Sequence, residues 1–432
     1  MSARGVIISA VRSGAGKTTV ALGLMRALVR RGTSVQPFKC GPDYIDPAFH
    51  AVAAGRPGFN LDSWAMPATL INGLVSGHAA DISIVEGVMG LFDGAGGRGA
   101  TSDLAALLGW PVILVLDVKG QIETAAAIAA GCASYRDDVD VAGVILNRVA
   151  SVRHLGMIRP AFESLGIPLL GGIASDPLLS LPERHLGLVQ AAETADIGAR
   201  LDAIADALEA AADLDTLVHC ARPAALGERC AGALRPPGQR IAVARDRAFS
   251  FMYPHLLEHW RMAGAEILAF SPLADEPPAP DADAVWLPGG YPELHAGTLA
   301  AARRFQEGLR ALASRSVPIH GECGGYMVLG QGLEDAEGRR HAMIGLLRLE
   351  TSFARRSLHL GYRRARLRGD CVLGGRGSEI MGHEFHYARV LASGDEPLVD
   401  CRDASGATVP EAGARRGAVS GTFFHAICAG PA

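Results

Sequence analysis

A glycine-rich segment near the N-terminus has the residue types of a phosphate-binding loop. It reads SAVRSGAGKTT and lies between an apolar, strand-like run and a segment of helical character. In such a loop the backbone amides and the helix N-terminus cradle phosphates, while Lys17 neutralises the β- and γ-phosphates and Thr18 holds Mg²⁺. Val11 occupies the first glycine position of GxxxxGK[ST], so a turn that binds no ligand is the alternative. The predicted nucleotide-binding residues of this loop are Gly14, Gly16, Lys17, Thr18 and Thr19.

Acidic residues at strand ends could complete a metal and substrate site. Glu86 ends the strand-like run DISIVE, Asp46 lies in GPDYIDP and Asp93 lies in GLFDGAGG. Open α/β sheets bind ligands at the carboxyl ends of their strands, and Mg²⁺ prefers oxygen ligands. The sequence therefore predicts Thr18, Asp46 and Glu86 as metal ligands, although Asp46 and Asp93 taken singly could be ordinary turn residues. Asn147, which ends VAGVILN, could form hydrogen bonds with the edge of a purine base on the same face of the sheet, or it could cap the end of its strand.

Cys323 stands in a frame that predicts a nucleophile. It lies in PIHGECGGYM, between a short strand and a helix, and glycines surround it. Such a tight turn exposes a nucleophile above a sheet, and its backbone leaves no room for a branched neighbour. The chain has 8 cysteines, none of which forms a CxxC pair or has zinc-like spacing with histidine. A buried structural cysteine is the usual alternative, but it does not explain the GxCGG frame.

A cysteine nucleophile needs a base and an oxyanion hole. The C-terminal segment GTFFH supplies His425, distant in sequence, as a base that the fold could bring within hydrogen-bond reach. The segment LPGGYPE follows a strand, and its glycine amides, including that of Gly290, could form the oxyanion hole. Together these pieces predict amide hydrolysis through a thioester.

His383 and His386 compete with His425 for a chemical role. They lie in GHEFHY, which has HExH spacing on a strand-like segment rather than HExxH on a helix. Two histidines so placed on a strand would not converge on one metal ion. We therefore expect a structural or substrate-lining role for this motif, and no zinc.

Composition limits the classes of partner. The formal charge of −4 and the pI near 6.4 give no general attraction for nucleic acid or an anionic membrane. No apolar stretch reaches the roughly 18 residues that cross a bilayer, and the N-terminus has no signal-peptide pattern. We expect a cytoplasmic protein that binds neither nucleic acid nor membrane.

The 432 residues are enough for two α/β domains. Strand-like runs alternate with amphipathic segments in both halves, which predicts mostly parallel sheets wrapped by helices. A Gly- and Pro-rich stretch at 231–240 separates the halves, so we place the domains at 1–230 and 239–432. Alternation between Ile344 and Tyr387 predicts antiparallel strands added to the second sheet. The predicted strands are Val6–Ser9, Val35–Lys39, Ile82–Glu86, Val112–Asp117, Val144–Asn147, Arg240–Ala244, Glu266–Phe270 and Ala284–Leu287, and the predicted helices include Ala191–Leu214 and Phe251–Ala263.

A series of motifs resembles the a,c-diamide synthases of corrinoid biosynthesis. They are, in order, GPDYIDPAFH, FNLDSWAM, VEGVMGLFDG, LPGGYPELH, HGECGGYM, GHEFHYAR and GTFFH, and the similarity covers essentially the whole chain. The resemblance implies a dethiobiotin-synthetase-like P-loop domain with a doubly wound sheet, joined to a class I glutamine amidotransferase-like α/β domain. It also implies ATP as co-substrate, Mg²⁺ as cofactor, L-glutamine as nitrogen donor and a corrinoid substrate.

Carried over by residue, the resemblance makes Cys323 the glutaminase nucleophile and His425 the residue that raises its nucleophilicity. The segment after His425 lacks the His-x-Glu pattern of broader class I amidotransferases, so another group must orient His425 or the site works as a dyad. Arg12 stands where related P-loop ATPases of the partitioning type carry a signature lysine. The predicted substrate residues are Tyr44, Asp46 and Asp93.

The implied reaction amidates the a and c acetates of the macrocycle. ATP would phosphorylate a carboxylate, and ammonia released by Cys323 would attack the mixed anhydride. The FNLDSWAM and GTFFH segments look more like those of the cobalt-free members of this family, and this resemblance favours hydrogenobyrinic acid over cobyrinic acid. An alternative from another class is a partitioning-type ATPase switch carrying an inactive amidotransferase-like binding module. A homodimer is a further expectation.

Overall fold

The computed structural model describes residues 3–78, 80–176, 196–229 and 233–431, together with residue 179 and the short strands at 183–184 and 187–188. The chain divides into two compact units, Met1–Ala231 and Gly232–Ala432. Cys230 and the first two residues of the 231–240 stretch lie outside the described residues. Among the helices that the structure describes, none combines the length and the apolar character that crossing a bilayer would require.

The first unit is a parallel sheet with intervening helices. Its strands are Arg4–Ala10 (β1), Val35–Cys40 (β2), Phe59–Leu61 (β3), Ile82–Glu86 (β4), Val112–Asp117 (β5), Val141–Val149 (β6), Leu169–Ala174 (β7), Glu183–Arg184 (β8), Gly187–Leu188 (β9) and Arg222–Pro223 (β10). Its helices are Lys17–Arg30 (α1), Asp46–Ala54 (α2), Ala68–Gly77 (α3), Thr101–Leu108 (α4), Glu123–Ser134 (α5), Val152–Leu165 (α6), Ile197–Ala211 (α7) and Leu214–Cys220 (α8).

The strand order in this sheet is β3-β2-β4-β1-β5-β6-β7, and among its described strands the short β10 alone pairs antiparallel, with β1. Strands β8 and β9 form a separate antiparallel pair. Strands β2 and β4 are buried along their whole length, as strands covered on both faces must be. Helix α1 buries Val20, Leu24 and Leu28, which recur every four residues on one face. The order places the carboxyl ends of β2, β4, β1, β5 and β6 side by side at one edge of the sheet.

The second unit contains a further parallel sheet and two smaller sheets. Its strands are Arg240–Ala244 (β11), Glu266–Phe270 (β12), Ala284–Leu287 (β13), Ile319–Glu322 (β14), Gly332–Glu334 (β15), Arg340–Ala342 (β16), Leu349–Ser352 (β17), His359–Leu367 (β18), Glu379–His386 (β19), Arg389–Ser393 (β20), Val399–Arg402 (β21), Ala414–Arg416 (β22), Val419–Thr422 (β23) and Phe424–Ala429 (β24). Its helices are Pro254–Met262 (α9), Ala296–Ala301 (α10), Arg303–Ser314 (α11) and Gly324–Leu329 (α12), with 3₁₀ turns at Pro272–Ala274 and Pro292–His295.

The main sheet of this unit has the order β12-β11-β13-β14-β23-β22, parallel except for β22. The predicted α/β class is therefore confirmed, but the expectation that the antiparallel strands extend this sheet is wrong. Strands β18 and β19 pair with each other over eight residue pairs and form a separate sheet, β21-β18-β19-β24. A third sheet has the order β16-β15-β17-β20. Alternation predicts a strand but not its partner, because pairing is settled by tertiary contacts.

Two predicted helices differ at their ends from the observed ones. The helix expected at Phe251–Ala263 begins at Pro254, because Phe251 N donates a 2.9 Å hydrogen bond to the Gly289 carbonyl and belongs to a bridge instead. Proline then provides the first helical residue, a position where its missing N–H costs nothing. The helix expected at Ala191–Leu214 is observed as α7 over Ile197–Ala211, and 191–195 lie outside the described residues.

Candidate active sites

The glycine-rich segment forms the turn between β1 and α1. Gly14 and Gly16 have φ angles of 73° and 98°, values that favour glycine. A Cβ atom at Gly16 would also lie 2.0 Å from Nδ2 of Asn147, so the loop could not keep its shape with a larger residue. The chain therefore enters α1 with backbone amides free to face an anion at its first turn.

Lys17 and Thr18, at the start of α1, contact the neighbouring strand β4 and the loop after it. Nζ of Lys17 donates to the Met89 carbonyl at 2.7 Å, and Oγ1 of Thr18 donates to Oε1 of Glu86 at 2.6 Å. Thr19 lies in the same turn and is half-buried. Burial, and then the charge of Lys39, lower the pKa of Lys17 to about 8.

A buried ionic cluster lies beside this turn and contains two residues that sequence reasoning missed. Nζ of Lys39 lies 2.5 Å from Oδ2 of Asp46 and 3.0 Å from Oε1 of Glu86. Nε2 of His50 lies 2.6 Å from the other oxygen of Glu86. Strand β2 positions Lys39, helix α2 positions Asp46 and His50, and β4 ends at Glu86.

The protonation of the cluster follows from its contacts. Burial opposes ionisation of Glu86, but the adjacent Lys39 ammonium and His50 outweigh it and lower the pKa of Glu86 well below its ordinary value. Burial likewise opposes the charge of Lys39, and the carboxylates of Asp46 and Glu86 outweigh it and raise the lysine pKa. Burial and the neighbouring Asp43 raise the pKa of Asp46 to about 7. Glu86 is therefore the carboxylate of the cluster that is ionised at neutral pH.

The remaining predicted residues of this unit lie around the same sheet edge. Nδ2 of Asn147 donates to the Ala15 carbonyl at 2.9 Å, so its amide supports the glycine-rich loop in this structure. Asp93 accepts a 3.0 Å hydrogen bond from the Gly90 amide in the loop after β4. Tyr44 is buried in the segment between β2 and α2.

The donor set here fits a hard divalent cation. Thr18 supplies a hydroxyl, and Glu86 and Asp46 supply carboxylates, which are the oxygen ligands that Mg²⁺ prefers together with phosphate oxygens. Lys39 pairs with both carboxylates, but its single positive charge balances only one of them. A cation would join Lys39 in neutralising them or displace its ammonium group.

Cys323 occupies the turn between β14 and α12. Its φ and ψ of 47° and −105° are strained for a residue with a side chain, as at other nucleophile elbows. A Cβ atom at Gly325 would lie 2.0 Å from the Leu287 carbonyl oxygen, and one at Gly321 would lie 2.6 Å from the Gly325 backbone. The small residues around Cys323 are therefore required by close backbone approach.

His425 reaches Cys323 because the chain changes sheets just before it. Thr422 ends β23 in the parallel sheet, and its carbonyl accepts a 2.7 Å hydrogen bond from the Cys323 amide; β24 then begins in the antiparallel sheet. A Cβ atom at Gly289 would lie 2.8 Å from Nε2 of His425 and 3.1 Å from Cβ of Cys323. The His425 imidazole and the Cys323 side chain therefore both lie beside Gly289.

The predicted oxyanion-hole residue also lies here. The Gly290 amide nitrogen is 3.1 Å from the position of a Cβ atom at Gly324, so the amides of these two residues lie close together. The backbone amide of Gly324 also lowers the pKa of the Cys323 thiol, against the larger effect of burial. Two backbone amides beside a nucleophile, one of them from the next residue, are the arrangement that stabilises a tetrahedral oxyanion.

Burial sets the resting protonation of the pair. It raises the pKa of the Cys323 thiol well above its ordinary value, and the Glu293 carboxylate raises it further. Burial, and then His383, lower the pKa of His425 to about 3. At neutral pH the pair is therefore a thiol beside a neutral imidazole, which can accept the thiol proton as the sulfur attacks.

The GHEFHY motif divides between the two faces of β19. His383 lies opposite His425 in the β19–β24 register, whereas Glu384 and His386 face a cavity of about 350 Å³. Ligand atoms of His359, Glu384 and His386 lie within 4.8 Å of one another. The rings of His359 and His386 are stacked at 9°, so their lone pairs do not aim at one ion, and Nε of Arg363 already pairs with Glu384 at 2.6 Å. This cluster is better suited to an ion-pair network than to zinc.

Two further charged residues of these sites, Lys39 and Glu322, could have been found from the sequence, because each is a charged residue within a strand. Lys39 is the charged residue of a short strand, and Glu322 ends a buried strand directly before the nucleophile. Charged residues are almost never fully buried unless they are paired, so each position indicated a partner. His50 carried no such signal, since a histidine in a short helix is common.

Both halves of the chain match described domain families. Residues 6–189 match the CobQ/CobB/MinD/ParA nucleotide binding domain, and residues 240–432 match the CobB/CobQ-like glutamine amidotransferase domain. These matches confirm the predicted combination of a P-loop domain with an amidotransferase-like domain.

Curated relatives match the chain from end to end. A hydrogenobyrinate a,c-diamide synthase from Mesorhizobium japonicum is 57% identical over 435 residues, which cover 99% of this chain and 99% of that protein. One from Rhodobacter capsulatus is also 57% identical and covers 98% of each chain. A third, from Agrobacterium fabrum, is 54% identical over 100% of both chains.

Proposed function

The chain belongs to the hydrogenobyrinate a,c-diamide synthase family, and we propose that it converts the a and c acetate carboxylates of hydrogenobyrinic acid into amides with ATP and glutamine. The observation that carries this proposal is the near-complete coverage of relatives that bear this name. The presence in one chain of a phosphate loop and a cysteine elbow supports it, because the reaction needs both an activated carboxylate and a source of ammonia.

In the second unit, Cys323 attacks the side-chain amide of glutamine. The thiol proton passes to Nε2 of His425, the sulfur bonds to the amide carbon, and the amides of Gly290 and Gly324 stabilise the oxyanion. His425 then returns the proton to the departing nitrogen, which leaves as ammonia. Water hydrolyses the thioester and releases glutamate.

In the first unit, the amides of the loop at Gly14 and Gly16, with Lys17, hold the ATP phosphates. A carboxylate of the macrocycle attacks the γ-phosphorus, and ADP leaves. Ammonia then displaces phosphate from the acyl phosphate to give the amide. Asp93 and Tyr44 border the same sheet edge and are the residues proposed for the substrate side, while Asn147 and Thr19 support the nucleotide side.

We propose Thr18, Glu86 and Asp46 as the residues that hold Mg²⁺. When bound with ATP, the ion neutralises phosphate charge during phosphoryl transfer. The hydrogen bond from Thr18 to Glu86 already places two of these oxygens side by side. The cytoplasmic location and the homodimer stay predictions from the sequence.

Cobyrinic acid is the alternative substrate, because it differs at the ring centre and not at the amidated acetates. Parallel assays on hydrogenobyrinic and cobyrinic acid, with amide formation followed by mass spectrometry, test this choice. The proposal expects a higher kcat/KM for the cobalt-free ring, and a clear preference for cobyrinic acid would overturn it.

A partitioning-type ATPase switch with an inactive binding module is the alternative from another class. Such a module need not retain Cys323 beside His425 with two oxyanion amides. Release of glutamate from glutamine by the purified protein separates these functions, since an inactive module would release none.

A further inference from the structure

We propose that Glu322 is the residue that positions His425, in place of a glutamate two residues after that histidine, where this chain has Ile427. The inference rests on the proposed glutaminase function and adds a third residue to its Cys323 and His425 pair. Glu322 precedes the nucleophile directly at the end of β14, so the same turn that presents Cys323 also fixes this carboxylate.

The carboxyl group of Glu322 faces β24 at the level of His425. Its Oε1 accepts a 2.8 Å hydrogen bond from the Ala426 amide, which ties the carboxylate to the residue next to the histidine. Its Oε2 lies 3.8 Å from Nδ1 of His425, and both side chains are almost completely buried. A carboxyl group held in this way can move only slightly, and the movement needed to form a hydrogen bond is under about 1 Å.

The two ring nitrogens of His425 face different groups. Nε2 lies toward Gly289 and Cys323, whereas Nδ1 lies toward Glu322. A proton on Nδ1, donated to Glu322, leaves Nε2 as the acceptor that the thiol requires. Hydrogen bonds of catalytic groups are often long before substrate binds, so we expect this contact to close in the complex with glutamine.

The step that Glu322 assists is the transfer of one proton. As the Cys323 sulfur bonds to the amide carbon, its proton moves to Nε2, and the ring becomes a cation with a second proton on Nδ1. An ionised Glu322 offsets that charge inside a site where burial otherwise disfavours it. No proton need pass to Glu322 itself.

Other groups around the His425 ring also affect the protonation of His425 and Cys323. Burial lowers the pKa of His425 most, His383 and His386 lower it further, and the backbone of Phe251 raises it. On the cysteine side, Glu293 and Glu384 contribute negative charge. Burial raises the pKa of Glu322 to about 8, so its ionised fraction grows through that pH.

The test compares Glu322→Gln with a matched control in the full-length protein. Glutamine can still accept the Ala426 hydrogen bond but carries no charge. Glu411 is a suitable control because it is a half-buried residue whose pKa is also raised to about 8, by burial of its carboxyl group and by Glu384, and it accepts backbone hydrogen bonds from Gly413 and Phe423. The measurement is glutaminase kcat/KM from pH 6 to about 9.5, a range that brackets the raised pKa.

For the wild type we expect kcat/KM to rise through about pH 8, as Glu322 ionises. Glu322→Gln should lower the glutaminase kcat/KM about tenfold or more and remove its rise near pH 8. Glu411→Gln should keep the wild-type kcat/KM and the wild-type rise. Glu322→Asp, which retains a carboxylate, should keep the rise at a reduced rate. Synthesis from free ammonia should be unchanged in each variant, which also reports correct folding.

An unchanged rate and an unchanged pH profile in Glu322→Gln would overturn the inference. The inference would also be overturned if Glu322→Asp folds correctly but its kcat/KM no longer rises near pH 8. If the wild type releases no glutamate from glutamine at any pH, the proposed function fails, and this result is distinct from a failure of the role of Glu322.

Discussion

The ammonium nitrogen of Lys39 lies 3.0 Å from Oε1 of Glu86, and both side chains are buried beside the phosphate loop. The same oxygen accepts a hydrogen bond from Thr18 at 2.6 Å. One carboxylate therefore connects the start of α1 with a lysine from the neighbouring strand β2. Because the three groups interact through one oxygen atom, a change in any of them alters the charge or the hydrogen bonding beside the phosphate loop.

Replacing Lys39 with methionine should destabilise the first unit. The substitution keeps the length of the side chain but leaves Glu86 as a buried anion without its main counter-charge, which costs about 3 to 5 kcal/mol in comparable cases. Urea unfolding at pH 8 without Mg²⁺ measures the effect. The control is Lys119→Met, since Lys119 is exposed and should shift the unfolding midpoint little.

The effect of Lys39→Met should depend on pH in a defined direction. The folded-state pKa of Glu86 is depressed, so its contribution to stability is present above its unfolded pKa of about 4.3 and is lost as the pH falls. The difference between wild type and variant should therefore be largest near neutral pH and should narrow as the pH falls below about 4, toward the depressed folded-state pKa of Glu86. A difference that widens in acid would contradict the assignment of Glu86 as the anion.

ATP affinity should weaken between pH 7 and 9. The pKa of Lys17 is lowered to about 8 in the free protein, so above that pH the side chain must take up a proton to pair with phosphate. The dissociation constant at fixed free Mg²⁺ should then rise, by at most about tenfold for each pH unit above 8. Fluorescence titration with an ATP analogue measures it.

Lys17→Arg provides the control, because arginine stays charged throughout this range. Its affinity should be nearly constant between pH 7 and 9, even if it is weaker overall. An equal loss of affinity in both proteins would show that another group titrates.

Substituting alanine at Gly289 should abolish glutaminase activity and spare synthesis from ammonia. The new Cβ atom would lie 2.2 Å from Cε1 of His425 and 3.1 Å from Cβ of Cys323, so the imidazole must be displaced. A displacement of about 1 Å in such a site can cost about a hundredfold in rate.

Gly297→Ala is the matched control for this substitution. Gly297 lies in helix α10 of the same unit, and the nearest atom to an added Cβ is 3.8 Å away, so activity should be retained. Glutamate release is the measurement for both variants. Full activity in Gly289→Ala would mean that the imidazole does not work from the position described.

Local patterns were enough to predict the parts of this protein that depend on neighbouring residues. The GAGKTT turn and the GECGG turn each contain their own geometric requirements, because positive φ angles and close backbone approach select glycine. Strands such as Ile82–Glu86 and Arg240–Ala244 were predicted to the residue, since each is a short apolar run with clear limits.

Features that depend on distant pairing could not be predicted in the same way. The contact of Glu322 with His425 exists because the chain crosses from one sheet to another after Thr422, and no local signal marks that crossing. For the same reason β18 and β19 were predicted as strands but assigned to the wrong sheet. Lys39 carries a local signal as a charged residue within a strand, but its partners Asp46 and Glu86 belong to other elements, so the pairing itself could not be predicted.

The most direct test of the central claim is amide formation by Cys323→Ala with glutamine and with ammonium chloride as alternative nitrogen sources. The account predicts that glutamine-dependent amidation of hydrogenobyrinic acid is lost, while ammonia-dependent amidation continues at the wild-type rate and still consumes ATP. Loss of both activities in a correctly folded variant would contradict the division of labour between the cysteine elbow and the phosphate loop.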